Sequence, residues 1–360
     1  MINLMAFVRT TNKHGLSPVN YYRALLPVST LGRRSNKFNV DILTQDDVRR
    51  VLDNGTSGYL LGRHVYVISR LYREDGRQRF FDAIHEHGGK VVFDTDDDLT
   101  CDHRELGRGD EFKKMLETVD LVTVSTPYLA KQISRYTGYK PPVLLNHVDA
   151  SWFSATSIAS KRRVPGLAVG FIGTASHEAD WEFPVRALTR IAGEHPEVTI
   201  VTAGFVPTYL ENFSNIVKLN PVPYVQYPGL MRQFDVVCCS LDPNDEFNKS
   251  KSSIKALEAM AAARILPNGK IGGAVPVCTN MPVYRRTVTK HNGVLTDNDG
   301  WYEALSELIT DENLRHRLAV QGYKWVQKNR DMAVGYRAWA NVYHGLVGGK
   351  YAVSRITQRN

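Results

Sequence analysis

Cysteine is scarce in this chain. Only four occur in 360 residues, at Cys101, Cys238, Cys239 and Cys278. None stands in the C-x-x-C spacing that zinc and redox sites use. Cys238 and Cys239 lie in the mostly apolar run Val236–Leu241, so buried thiols in a reducing compartment are the expectation. Long hydrophobic runs are also missing. No stretch approaches the roughly 18 apolar residues a spanning helix needs. The opening MINLMAFVRT lacks the basic region, apolar core and small-residue cleavage site of a signal peptide. No transmembrane segment is expected, and a cytoplasmic location is. The chain holds no G-x-S-x-G, H-E-x-x-H or G-x-x-x-x-G-K-[ST] segment, which excludes nucleophile-elbow hydrolases, zincins and P-loop enzymes.

What is present is an ordinary globular balance, 43% hydrophobic and 23% charged. The formal net charge is +8, and most of the excess falls after residue 150. Such an excess can serve the phosphates of a small ligand, an anionic surface or nucleic acid, and charge alone does not choose among them.

Short β-rich runs alternate with helical patterns throughout. Strands are expected at Ile2–Val8, Phe38–Leu43, Val65–Ser69, Lys90–Asp94, Leu121–Ser125 and Val143–Asn146. After a polar segment, Ala150–Pro165, that reads as a linker, they resume. The second set is Ala168–Ile172, Val198–Ala203, Asn215–Leu219, Asp235–Leu241, Val275–Thr279 and Gly293–Thr296. Helical patterns fill the gaps, so the pattern implies βαβ units and parallel sheets. The fold class is therefore α/β, with two Rossmann-like domains in tandem facing a central cleft. The expected bounds are 1–150, 166–330, and a C-terminal helix with a basic tail over 331–360. Ligands of open parallel sheets bind beyond the carboxyl ends of the strands, so the chemistry is sought there.

Four constellations qualify. In Phe171–Asp180 a strand runs into Gly173 and Thr174, hydroxyl residues follow and a helix starts, a layout suited to a phosphate on free helix N–H groups. A capped βα turn reads equally from the same residues. In Phe247–Met260, Lys251, Lys255 and Glu258 fall one and two turns apart on one helical stripe, with Ser250 and Ser252 as caps. The lysines suit a diphosphate and Glu258 a ribose diol; a solvated helix with an ion pair is the plainer alternative. In Asp94-Thr95-Asp96-Asp97-Asp98, clustered carboxylates end a strand. They suit a divalent metal, or a metal-free set orienting sugar or acceptor hydroxyls with one carboxylate as base. Finally, His14 and Gly15 follow the first strand, with Arg23 able to reach a phosphate.

Taken in order, these pieces resemble bacterial and phage glycosyltransferases of the GT-B fold, near the family-4-like group. The resemblance is carried by SPVNYYRALLP (Ser17–Pro27), VVFDTDDDL (Val91–Leu99), VDLVTVSTPYLA (Val119–Ala130), LLNHVD (Leu144–Asp149), VGFIGTASHEADW (Val169–Trp181), FNKSKSSIKALEAMA (Phe247–Ala261) and HNGVLTDNDGWYEAL (His291–Leu305). It implies a nucleotide-sugar cosubstrate, a UDP-sugar foremost, in the C-terminal domain. Gly173, Thr174, Lys251, Ser252 and Lys255 would line its diphosphate and Glu258 would hold the ribose. The N-terminal domain would present the acceptor, with Gly15 and Arg23 as contacts and His14, Asp96, Asp97 and Asp98 as catalytic groups. Transfer would retain anomeric configuration and need no metal or other cofactor. One position departs from the pattern: the earlier of two glutamates is replaced by Ser250.

Three other readings stand beside it. A GT-A enzyme would use the aspartate run for metal, but does not need the second Rossmann-like half. A phage-type DNA glycosyltransferase would act on a hydroxylated base, though no basic stripe interleaved with aromatics is seen. A non-catalytic nucleotide-sugar binding module is the third. A glycan or similar small acceptor is favoured over DNA. The sequence does not specify the oligomeric state.

Overall fold

The structure is a computed structural model that describes residues 1–8, 10–11, 15–44, 46–47, 58, 60–69, 77–101, 108–173, 178–204, 210 and 212–351. The chain divides into two compact units: Met1–Asn146 with Met332–Asn360, and His147–Asp331.

In the first unit five strands form one parallel sheet: β1 (Ile2–Val8), β2 (Phe38–Thr44), β3 (Val65–Ser69), β4 (Lys90–Thr95) and β5 (Leu121–Val124), in the order β2-β1-β3-β4-β5. Their residues are apolar in runs rather than in alternation, because helices cover both faces of a parallel sheet. β1, β3 and β5 are buried nearly end to end. The segment Val143–Asn146, expected as a sixth strand, makes only an isolated parallel bridge between Val143 and Val124. The helix Met332–Val347 packs on the helix Leu26–Arg34 of this unit, placing Trp339 against Arg23 and His344 against Phe38.

The second unit holds six parallel strands: β6 (Leu167–Gly173), β7 (Val198–Gly204), β8 (Ile216–Leu219), β9 (Val236–Cys239), β10 (Val275–Thr279) and β11 (Val294–Thr296). Their order is β8-β7-β6-β9-β10-β11. The chain order reverses between β6 and β9, which is the doubly wound arrangement with its ligand crevice at that switch point. Phe171, Trp181, Leu188, Ile200, Trp301 and Leu305 belong to the core of this sheet. Cys238, Cys239 and Cys278 are free and buried, and Cys101 is free and half-buried.

The segment expected as a linker begins with a helix, Ala150–Ala159. Asp149 caps it by accepting from the Trp152 amide at 2.9 Å, and Ala150 and Phe153 are buried. Its serines and threonines made it read as loop, but the cap and two buried apolar residues suffice for a short packed helix. Among the described residues no helix is long and apolar enough to cross a membrane.

Candidate functional site

In the second unit the switch point falls where β6 and β9 end. β6 closes on Gly173, and a Cβ there would collide with the indole of Trp181. That indole packs on Phe171 at 4.4 Å between centroids and is 1% exposed. Close packing of Trp181 therefore accounts for the glycine. Thr174, part of the expected phosphate turn, lies outside the described residues.

The buried Asp180 accepts from the Asp242 amide at 3.0 Å and from Asn248 Nδ2 at 2.5 Å. Asp180 thereby ties the short helix Ala179–Trp181 to the loop after β9. The expected continuous helix carrying Lys251, Lys255 and Glu258 is broken. A first helix, Glu246–Ser250, ends as Lys251 turns extended (φ −62°, ψ 167°), and a second runs over Ile254–Ala261. Lys251 is thus off the stripe that Lys255 and Glu258 share. Nor do Ser250 and Ser252 cap the second helix. Ser253 occupies the N-cap position, and its hydroxyl instead meets Thr287 Oγ1 at 2.7 Å. The break falls in the run Lys249–Ser253, where three serines of modest helix propensity are gathered. A fresh helix start appears there, with first-turn amides that have no intrahelical acceptor.

Lys251 is half-buried, its ammonium 4.5 Å from the centroid of the Phe247 ring. Lys255 is half-buried as well. Burial holds its ammonium below the usual lysine range, with Lys251 adding to the effect and Asp180 and Glu258 opposing it. Glu258 is 6% exposed and accepts a hydrogen bond from the Tyr227 hydroxyl at 3.0 Å. Burial and the Glu258 charge push that phenol well above its ordinary value, so it remains a donor. Tyr227 stacks on Tyr224, with centroids 5.7 Å apart and planes 17° from parallel, and Tyr224 meets Trp152 at 5.7 Å. Sequence reasoning passed over Asp180, Asn248, Tyr224 and Tyr227 as site residues. The only sequence signal for the tyrosines was their i,i+3 spacing in NPVPYVQYP.

In the first unit the strand-end carboxylates separate into different environments. Asp94, at the end of β4, is fully buried and forms a bidentate ion pair with Arg23: Nε to Oδ1 at 2.6 Å and Nη2 to Oδ2 at 2.9 Å. Arg23 Nη1 also donates to the Leu144 carbonyl at 2.5 Å and to Asn146 Oδ1 at 2.7 Å. Arg23 was expected at a phosphate or acceptor. It is instead 0% exposed, with its guanidinium committed to these four contacts and stacked over Trp339 at 4.9 Å. Burial pushes Asp94 upward while the guanidinium opposes it, and the bidentate geometry holds the carboxylate ionised.

Asp98 Oδ1 accepts from the Thr100 amide at 3.0 Å and the Thr100 hydroxyl at 2.5 Å, closing a local turn. Asp97 is 8% exposed, and Asp96 is the least buried of the three. Among the described residues no group of three or more His, Cys, Asp or Glu side chains is placed to hold a metal ion. Gly15 pairs with Thr11 in a two-residue antiparallel ladder; His14 lies outside the described residues.

No protein-family profile and no curated protein sequence matches the chain. Solved structures do. Anabaena HepE in complex with UDP and glucose matches with a TM-score of 0.66 at 13% identity, covering 96% of this chain and 100% of its own. Sucrose-phosphate synthase from Thermosynechococcus elongatus matches with a TM-score of 0.65 at 10% identity, covering 97% and 100%. An α,α-trehalose-phosphate synthase (UDP-forming) from Burkholderia vietnamiensis matches with a TM-score of 0.65 at 11% identity, covering 97% and 98%. The chain has the GT-B glycosyltransferase fold.

Proposed function

We propose that the protein is a glycosyltransferase that moves a sugar from a UDP-sugar to a hydroxyl of a glycan or similar small acceptor. The observation that carries the reading is the Glu258 carboxylate on the helix Ile254–Ala261, which packs against β9 and β10. The carboxylate is nearly buried, steadied by Tyr227, and has Lys255 as a cationic neighbour, with Lys251 next to Lys255 in turn. A carboxylate so held accepts two hydroxyls of a ribose. Two ammonium groups and the first-turn amides of Ile254–Ala261 suit a diphosphate. HepE, on the same fold, was solved with UDP-glucose.

In the reaction the C1–O bond to the β-phosphate breaks and the acceptor oxygen bonds to C1. UDP departs with the electron pair, stabilised by Lys251, Lys255 and backbone amides. The acceptor proton passes to the departing phosphate or to a carboxylate, for which Asp96 is the most accessible of its run. The anomeric configuration is retained and no metal is needed. Gly173, Thr174 and Ser252 belong to the donor side, and Gly15, His14, Asp97 and Asp98 to the acceptor side. Calorimetric titration with UDP, repeated with chelator, tests the donor assignment. The parent binds in both conditions, and Glu258→Ala loses at least about tenfold in affinity with its fold intact. Equal binding by the variant sinks the assignment.

A further inference from the structure

Asp180 stands one residue before Trp181 in the short helix Ala179–Trp181 and is 5% exposed. Trp181 is buried and packs on Phe171 of β6, so the backbone that carries Asp180 is fixed to the core of the sheet. A carboxylate held in this way is a rigid anchor. One of its oxygens, Oδ1, takes two donors, the Asp242 amide and Asn248 Nδ2.

Those bonds lead to Lys251. Asn248 is buried, and its Nδ2 also donates to the Asp242 carbonyl at 3.3 Å. Its own carbonyl accepts from the Lys251 amide at 3.2 Å, at the residue where the helix Glu246–Ser250 ends and the chain turns extended. The Lys251 ammonium lies over the ring of Phe247, which belongs to the same helix. These contacts of Lys251 return to Glu246–Ser250, a helix of 5 residues. So short a helix has too few internal hydrogen bonds to hold its own place, and Asp180 ties it to the core.

Asp180 also brings charge. A buried carboxylate is costly unless donors or a cation compensate it. Its charge acts on the Lys255 ammonium and opposes the effect of burial there. The other titratable groups that act on Lys255 are Cys239 on β9, Cys278 on β10, Lys251 and Glu258. Burial pushes the Cys278 thiol well above its ordinary value. Asp180 and Glu258 are the carboxylates among these groups.

We propose that Asp180 is a positioning residue of the donor site: through Asn248 it fixes where Lys251 leaves its helix, and its negative charge serves the Lys255 ammonium. It acts through the two lysines rather than on the nucleotide. The proposal rests on the reading of Lys251, Lys255 and Glu258 as donor ligands.

The test is calorimetric titration of the full chain with UDP from about pH 7 to about pH 10, with the Tm measured at each pH. It compares the parent, Glu258→Ala, Asp180→Asn, Asp180→Ala, Lys255→Met and Asp180→Asn/Lys255→Met. Asp180→Asn keeps an oxygen acceptor and removes the charge. The pH at which UDP affinity falls should move down by roughly half a unit or more, because Lys255 then gives up its proton at lower pH. In the Lys255→Met background the same substitution should leave that pH where it is. Asp180→Ala also releases Asn248 and should lose at least about tenfold in affinity near neutral pH. An aspartate that only braced the fold would lower the Tm without moving the alkaline fall. The proposal is overturned if Asp180→Asn leaves the fall in place, if the shift persists without Lys255, or if Asp180→Ala binds as the parent does. In each of those cases Glu258→Ala still loses affinity and the donor reading stands. Parental binding by Glu258→Ala overturns the donor reading and this proposal with it. Should Asp180→Ala fail to fold, the two Asp180→Asn comparisons decide alone.

Discussion

Tyr227 donates its hydroxyl to Glu258 Oε2 at 3.0 Å, and the two residues come from different helices, Tyr227–Met231 and Ile254–Ala261. The tyrosine sets where a nearly buried carboxylate can point. Tyr227→Phe keeps the ring stack on Tyr224 and removes only the donor. A hydrogen bond to a charged group contributes about 1.5–3 kcal/mol, so UDP affinity should fall by roughly 10- to 100-fold. Glu258→Ala should fall at least as far, and the double variant no further than Glu258→Ala alone. Calorimetric titration of the three variants checks this; additive losses would show that the tyrosine does not act through Glu258.

Lys255 gives a pH dependence. Its folded pKa lies below the ordinary 10.5, so between the two values the unfolded chain binds more protons and stability rises with pH. A bound diphosphate favours the ammonium and reverses the effect of burial. UDP affinity should therefore fall as pH rises through the folded pKa, at values below 10.5, with proton uptake on binding. Titrations in buffers of different ionisation enthalpy measure that uptake. Lys255→Met should raise the Tm of the free protein by about 2–4 °C per kcal/mol gained, while weakening UDP binding. Affinity flat across this alkaline range would remove Lys255 from the diphosphate.

Gly173 tests whether packing or ligand access demands the glycine. A Cβ at this position meets Trp181, and overpacking a filled core costs about 1–3 kcal/mol. Gly173→Ala should lose that much in urea denaturation. Trp181→Phe in the same chain should recover part of the loss, since the smaller ring vacates the contact. No recovery would mean that the glycine serves the backbone or a ligand instead.

Much of the fold was legible in the sequence because its strands are buried on both faces. Ile2–Val8, Val65–Ser69 and Val275–Thr279 appear with the bounds their apolar runs implied, and most others differ by a residue or two. The break at Lys251–Ser253 was not legible. Periodicity carries Lys251, Lys255 and Glu258 onto one stripe, while the modest helix propensity of the neighbouring serines leaves no mark on periodicity. Arg23 shows a second limit. From the sequence it sits one turn into a helix near the first strand end, with the look of a phosphate ligand. Its partners Asp94, Leu144 and Asn146 are 71, 121 and 123 residues away, and no local pattern reports contacts of that range. The aspartate run was located correctly at a strand end, but that Asp98 is the carboxylate that closes a turn depends on Thr100, and that Asp96 is the least buried of the three depends on packing.

The Arg23–Asp94 pair supplies the last prediction. Both side chains are 0% exposed, so removing either alone leaves a buried charge with no counter-ion. Arg23→Met or Asp94→Leu should each cost about 3–5 kcal/mol, whereas the double variant, with matched apolar volumes, should come close to the parent. Thr123 limits the recovery, because its hydroxyl donates to Asp94 Oδ2 at 2.5 Å and loses that acceptor in the double variant. Adding Thr123→Val should then restore the remainder. Urea denaturation of the singles, the double and the triple resolves these steps. If the double variant were as unstable as the singles, the pair would be holding the sheet end through hydrogen bonds to Leu144 and Asn146 rather than through charge balance. Arg23→Lys separates the two accounts: it keeps the charge, loses the fork geometry, and should stay within about 2 kcal/mol of the parent only if charge balance dominates.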